Sequence, residues 1–398
     1  MAVQQGYGKM AGTDALVFAY DTGDAVNSYK GEPTVNILNN NILAYGGLLG
    51  EDSSGTFIQL NNDTSGYARF QLPSIPVSSN DIYTWSFELY TTETFTSNYS
   101  WDTNEYSDQF PSSNDLSRVT YNHSTPSTIP ANTWTPFRLT VTMKDGLTGA
   151  YTYDFFRFFF PTFQNKKVYY RNMQFEFKNH KTQYAGQGGT RSATEGLLDL
   201  TGNETIDLSR TSFDNNADLD FDGTDDEIQI ISSNWAQPGE DITVEAMVYR
   251  EGYSENSAQY SSIINASNDV TGIYSFSFYV SPTSNRLAGW LHSSTDSNSF
   301  DSGYVIELNT WYHVAFTLEN GDPHTVKTFV NGVEQSSSTM GQGVRFANIT
   351  KTTIGAYVDR NQYEWNGKIP IVKIYNRALS AAEVKSNFNN YKTRFNIA

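Results

Sequence analysis

Trp311-Tyr312-His313-Val314-Ala315-Phe316-Thr317 reads as a β-strand, and Phe329-Val330-Asn331-Gly332-Val333 follows it as a hairpin. Asn-Gly supplies the two positive φ angles that a type I′ turn requires, and this turn matches the twist of the strands it joins. Ile354-Gly355 and Trp365-Asn366-Gly367-Lys368-Ile369 continue the series. It closes on Ile374-Tyr375-Asn376-Arg377-Ala378-Leu379-Ser380-Ala381-Ala382-Glu383-Val384. Ser380 and Glu383 have the spacing of a capping box, so a helix is predicted to start there. Val384, Phe388 and Tyr391 recur at i, i+4 and i+7 and give that helix one apolar face. Each piece has a place in a two-sheet β-sandwich closed by one short helix.

The wider composition agrees. The chain has 398 residues, enough for two or three domains. Aromatic residues make up 15%, with 26 Tyr and 25 Phe, types that favour pleated, half-buried surfaces. The net charge of −17 disfavours phosphate-directed nucleic-acid binding and docking on anionic membranes. With no cysteine, disulfides, Cys-ligated zinc and thiol catalysis are excluded. No stretch approaches the apolar length of a membrane span, and Met1–Met10 does not read as a secretory signal. The expectation is an acidic, extracellular-style protein released by host lysis rather than export.

Alternation marks strands elsewhere. It appears at Tyr83, Trp85, Phe87 and Leu89; at Phe137, Leu139, Val141 and Met143; and at Tyr169, Arg171, Met173, Phe175 and Phe177. Phe155 to Phe160 is aromatic on both faces. Further on, Ile242, Val244, Ala246 and Val248 alternate with polar neighbours, as do Tyr274, Phe276, Phe278 and Val280. The fold class is all-β: two β-sandwich (jelly-roll) domains with one short C-terminal helix.

In their order and spacing, the pieces between Trp311 and Val384 resemble the jelly-roll domain of the laminin-G-like (concanavalin A-like) superfamily. That superfamily includes lectins, virion proteins and glycosidases, so the resemblance implies a fold and leaves the function to be argued from sites. Asp14-Ala15-Leu16-Val17-Phe18-Ala19-Tyr20-Asp21 with Asn27-Ser28-Tyr29-Lys30-Gly31 resembles the opening strand and loop of such domains in bacteriophage proteins. Gly196-Leu197-Leu198-Asp199-Leu200 resumes the pattern. Asn132-Thr133-Trp134-Thr135-Pro136-Phe137 and Val168-Tyr169-Tyr170-Arg171-Asn172-Met173 are similar to carbohydrate-binding-module-like sandwiches of phage structural proteins. The expected organisation is a docking arm over 1–13, the first jelly-roll strand in 14–35, an inserted sandwich over 36–186, a linker over 187–195, and the remaining jelly roll with its helix over 196–398. Three consecutive domains are the simpler alternative.

Asp218-Leu219-Asp220-Phe221-Asp222-Gly223 has the opening of a calcium loop, but Gln229 stands where a bidentate acid belongs. Leu219 and Phe221 suit a strand, so no metal or other cofactor is predicted; a structural calcium lacks a full ligand set. The five histidines form no zinc motif, and His313 is expected to be structural. Glu88, Glu176 and Glu245 stand singly on their strands, so the carboxylate pair of a glycosidase is not in view. Aromatic residues in polar loops are the remaining signal, for sugar or for a partner subunit. Tyr99, Trp101 and Tyr106 form one such candidate contact, and Tyr357, Arg360 and Tyr363 a second. By their fit to the superfamily's packing pattern, Trp290, Trp311 and Trp365 are expected to be structural.

The resemblance implies a non-enzymatic virion structural protein: a fibre, collar or neck whisker, or capsid decoration. Its expected partners are other virion proteins through residues 1–13, further copies of itself in a trimer, and host surface glycans. Nucleic acid and membrane insertion are not expected. A free lectin and a glycoside hydrolase are the rival readings.

Overall fold

A computed structural model of the chain describes residues 15–398 except 39–42, 46–49, 52–56, 62–66, 72–74, 97–99, 103–118, 125, 144–150, 154–156, 162–166, 187, 232–240, 255–259, 268–273, 293–296, 322, 341–348, 350 and 358–362. Nearly all its regular structure is β, with one short helix, as the alternation predicts. The chain forms two compact units. The first comprises Met1–Pro33, Ser192–Asp214 and Asp218–Ala398; the second comprises Thr34–Arg191 with Asn215–Ala217.

Strands of the first unit are β1 (Leu16–Asp21), β2 (Ile206–Arg210), β3 (Phe221–Asp222), β4 (Glu227–Ile230), β5 (Ile242–Arg250), β6 (Ser261–Ser267) and β7 (Tyr274–Val280). They continue with β8 (Arg286–His292), β9 (Ser297–Val305), β10 (Trp311–Glu319), β11 (His324–Val330), β12 (Val333–Met340), β13 (Lys351–Ile354) and β14 (Asn366–Tyr375), followed by helix α1 (Ala381–Tyr391). One sheet has the order β1-β14-β5-β10-β11-β12, with β3 on β14. The other runs β2-β4-β13-β6-β7-β8-β9. Strand β1 pairs antiparallel with β14, Tyr20 opposite Val372, so the start and end of the unit share an edge.

The core lies between the inner faces of these sheets. Val244, Ala246 and Val248 of β5 and Val314, Phe316 and Leu318 of β10 meet Phe276, Phe278 and Val280 of β7 and Phe300 of β9. Phe316 is fully buried, with ring centroids 5.5 Å from Phe276, 5.1 Å from Phe278 and 5.4 Å from Phe300. Such edge-to-face and tilted pairs add to the burial of apolar area. Trp365 is fully buried and donates from Nε1 to the Tyr249 carbonyl at 3.2 Å. The β11–β12 hairpin turns on Asn331 and Gly332, at φ +50° and +69°. A Cβ on Gly332 would lie 2.8 Å from Lys385 Cδ, so the turn also needs glycine to fit beneath α1.

The second unit has a six-stranded and a four-stranded sheet. Tyr83, Trp85, Phe87, Leu89, Phe137, Leu139, Val141 and Met143 are all buried. The alternation read across Tyr169–Phe177 breaks here. A register shift falls between Arg171 and Gln174, and Asn172 has φ +52°. This β-bulge reverses the parity. Tyr170 packs inward on Phe87 at 5.6 Å, while Tyr169 and Arg171 are half-exposed. Past the bulge Met173 and Phe175 are buried, and Phe177 is 54% exposed. Thr190–Arg191, within the stretch read as a linker, pairs with Thr34–Val35. Glu176 fastens this seam by accepting hydrogen bonds from Thr34 Oγ1 at 2.6 Å, Thr182 N at 2.9 Å and Gln174 Nε2 at 3.0 Å.

Helix α1 covers the outer face of the β1–β12 sheet. Ser380 is its N-cap, and the reciprocal bonds with Glu383 predicted from sequence are present. Val384 packs with Ala315, Phe329, Tyr375 and Leu379. Polar groups are buried there too. Asn387 Nδ2 donates to Glu245 Oε2 at 2.8 Å and to the Tyr375 hydroxyl at 3.1 Å. Burial raises the Glu245 carboxyl and lowers the Lys373 ammonium, each against the opposing pull of the other. Burial, then Lys373 and Lys385, push His313 down to about 3. His313 is therefore a neutral imidazole, and its 3.7 Å approach to Glu245 is neither an ion pair nor a hydrogen bond.

Two outcomes test this architecture. Phe316→Ala should destabilise the first unit by about 3–5 kcal/mol in denaturant melts, because it empties the centre of the aromatic core. A depressed histidine pKa contributes stability that is complete above about pH 6.5 and lost as pH falls towards 3. Between pH 6 and 5 the parent should therefore lose about 1 kcal/mol more than His313→Gln, measured by paired denaturant titrations.

Candidate functional site

Parity places the next features. With Tyr312, Val314, Phe316 and Leu318 directed into the core, Trp311 falls on the outer face of β10. Opposite it, Tyr249 lies near the end of β5, and the two ring centroids lie 4.9 Å apart. Beyond α1 the chain turns back: Ile397 N donates to the Lys392 carbonyl at 2.8 Å, and Asn396 takes φ +53°. This return brings the Phe395 ring to 4.6 Å from Trp311.

An open cavity of ≈ 750 Å³ results, within the size range of small-molecule sites. Tyr249, Trp311, Tyr304 and Phe395 supply aromatic surface, and Asn309, Thr310 and Asn331 supply polar groups. Asn331 Oδ1 accepts from the His313 backbone N–H at 3.0 Å, which commits its oxygen to the fold and leaves the side-chain N–H donors. Tyr312 also borders the cavity while its side chain packs in the core; burial first, with Tyr304 and Glu307 nearby, raises its phenol above its ordinary value. It stays a neutral hydroxyl at physiological pH. Rings beside amide and hydroxyl groups suit a ligand with both apolar faces and hydroxyls. No carboxylate side chain lines the cavity among the described residues.

Of the loop residues singled out from sequence, Tyr99, Tyr106 and Arg360 lie outside the described residues. Trp101 lies on the strand Ser100–Asp102, opposite Phe158. Tyr357 is 9% exposed and Tyr363 is half-buried, with centroids 5.0 Å apart. They join a ring cluster on the outer face of the β2–β9 sheet: Tyr363 is 5.3 Å from Tyr260, which in turn is 4.9 Å from Trp290. Ser277 pairs with Trp290, and Asn265 with Ser277. Reading the sequence passed over Trp311 because strand-entry tryptophans of this pattern read as packing. The available signal was parity: inward Tyr312 and Val314 require Trp311 to face out.

Asp222, Asp225 and Asp226 are the one group of metal-type ligands among the described residues, with carboxylate oxygens within 4.8 Å of one another. Asp226 is already used by the fold, accepting from Ser212 N at 2.6 Å and Asp222 N at 2.7 Å. Burial, with the Asp222 charge, raises its carboxyl to about 6 against those bonds. Leu219 and Phe221 are buried, as a strand reading requires. Three carboxylates by themselves fall short of the six to eight oxygen ligands that calcium takes.

Residues 222–385 match a family model described as the concanavalin A-like lectin/glucanases superfamily. No curated protein matches the chain. Among solved structures, one similar fold is domain 4 of an extracellular GH43 arabinanase from Geobacillus stearothermophilus, solved with arabinotriose. It is 20% identical, with 49% of this chain and 92% of that one covered and a TM-score of 0.36. Others are the binding domains of Paraclostridial Mosquitocidal Protein 1 (15%, 49% of each chain, 0.38) and of botulinum neurotoxin serotype G (18%, 50% and 49%, 0.41). The chain spans about half the length of these two binding domains.

Proposed function

We propose that this protein is a non-enzymatic, glycan-binding β-sandwich protein that serves as a surface appendage of a bacteriophage particle. The observation carrying the binding half is the cavity of Tyr249, Trp311, Tyr304 and Phe395 beside Asn309, Thr310 and Asn331. Sugar rings present apolar faces and hydroxyl edges, which these two sets of groups complement. The cavity offers no carboxylate pair for hydrolysis, and Glu245 is sealed beneath α1. The virion half rests on the resemblance of residues 14–35 and 196–390 to phage jelly-roll proteins. In this reading residues 1–13 dock on the particle, copies assemble as a trimer, and the sandwiches project outward towards host glycans.

A glycan array with the purified chain tests binding. Trp311→Ala should reduce affinity by about tenfold or more while leaving the melting temperature close to the parent's. Equal binding by that variant, with loss in Trp101→Ala instead, would move the site to the other sandwich. Antibodies against the chain should decorate intact, gradient-purified particles; a protein found only free in the lysate would exclude the appendage role.

A further inference from the structure

The cavity contains a cation that the fold has already neutralised. Arg394 is the one charged side chain lining it among the described residues. Its Nη1 donates to Asp21 Oδ1 at 2.6 Å, at the end of β1. The guanidinium lies 4.8 Å from the Phe395 ring centroid. Its Nη2 rests on the backbone of Gly23, where an added Cβ would come within 2.1 Å. Asp21 is itself held, accepting from the Gly23 N–H at 2.8 Å. An arginine that recognises sulfate or carboxylate presents its planar fork to the ligand. Here the fork is turned to Asp21 and Gly23.

The surroundings oppose an anion as well. No second basic side chain lines the cavity among the described residues, and the chain carries a net charge of −17. The other side chains lining the cavity among the described residues are uncharged: amides of Asn309, Asn331 and Asn396, the Thr310 hydroxyl, and aromatic rings. Building on the glycan reading above, we infer that the cavity selects uncharged saccharides over sialylated, sulfated or uronic ones, and that the Asp21–Arg394 ion pair enforces the selection. Asp21 acts through Arg394 and is a specificity-determining residue that does not line the cavity.

The test compares neutral oligosaccharides with their sialylated and sulfated counterparts, using the full chain at fixed salt. Neutral members should bind about tenfold or more tightly than the matched anionic ones. Asp21→Asn keeps an oxygen for the Gly23 N–H and frees the guanidinium, so the anionic-to-neutral affinity ratio should rise by about tenfold. Asp21→Asn/Arg394→Gln should return the ratio to the parent's, which a merely structural role for Asp21 would not do. Melting curves confirm that each variant is folded. Anionic glycans bound as well as neutral ones by the parent, or an unchanged ratio in folded Asp21→Asn, would overturn the selection while leaving glycan binding intact. Absence of binding to every saccharide would remove both.

Discussion

Strand parity at β10 is the constraint from which the rest of the first unit follows. Phe316 enters the core and touches three phenylalanine rings of the facing sheet. Once that position is set, every second residue is assigned. Tyr312, Val314 and Leu318 go inward, while His313 and Ala315 face α1 and Trp311 faces the cavity. A slip of one residue would bury Trp311 and His313 in the apolar core and expose Phe316. One strand thus specifies the core, the helix seat and the candidate site together.

The outer face of that sheet is covered in an unusual way. Glu245, His313, Lys373 and Asn387 are all nearly inaccessible beneath or within α1. Isolated charges there would be costly, so burial drives the carboxyl towards neutrality and keeps the imidazole uncharged. Asn387 bridges Glu245 and Tyr375, giving the helix a defined rotation that apolar contacts alone would specify less sharply. That rotation matters beyond the helix, because the chain continues from it and residues 394–398 form one wall of the cavity.

Features governed by local rules were legible before the structure. Asn331-Gly332 adopts the positive φ pair of its turn, and Ser380 with Glu383 closes the capping box. The buried sets Tyr83–Leu89 and Phe137–Met143 follow their alternation. What escaped is non-local. A single residue in the left-handed region, Asn172, divides the Tyr169–Phe177 pattern into two parities, and nothing in the composition of that strand announces it. The cavity was equally hidden: Trp311 read as a packing residue, and the concavity depends on the fold back after α1. Tyr357 and Tyr363 were visible as aromatics in a polar segment, but their partners Tyr260, Tyr279 and Trp290 arrive from distant strands.

The cavity is built from pieces that are far apart along the chain. Tyr249, the 304–312 segment, Asn331 and residues 394–398 line it, and Asp21 secures its outer wall from a strand that precedes the whole second unit. Strand β1 holds that position through its ladder with β14, and Lys30 N donates to the Gly196 carbonyl where the chain re-enters the unit. A surface ion pair such as Asp21–Arg394 contributes little to stability on its own. Its consequence is electrostatic and local: it offsets the charge of Arg394, the one charged side chain lining the cavity among the described residues. Closure of the first strand onto the last therefore places Asp21 beside Arg394 and, in the reading proposed above, sets the sign of the ligand the site accepts.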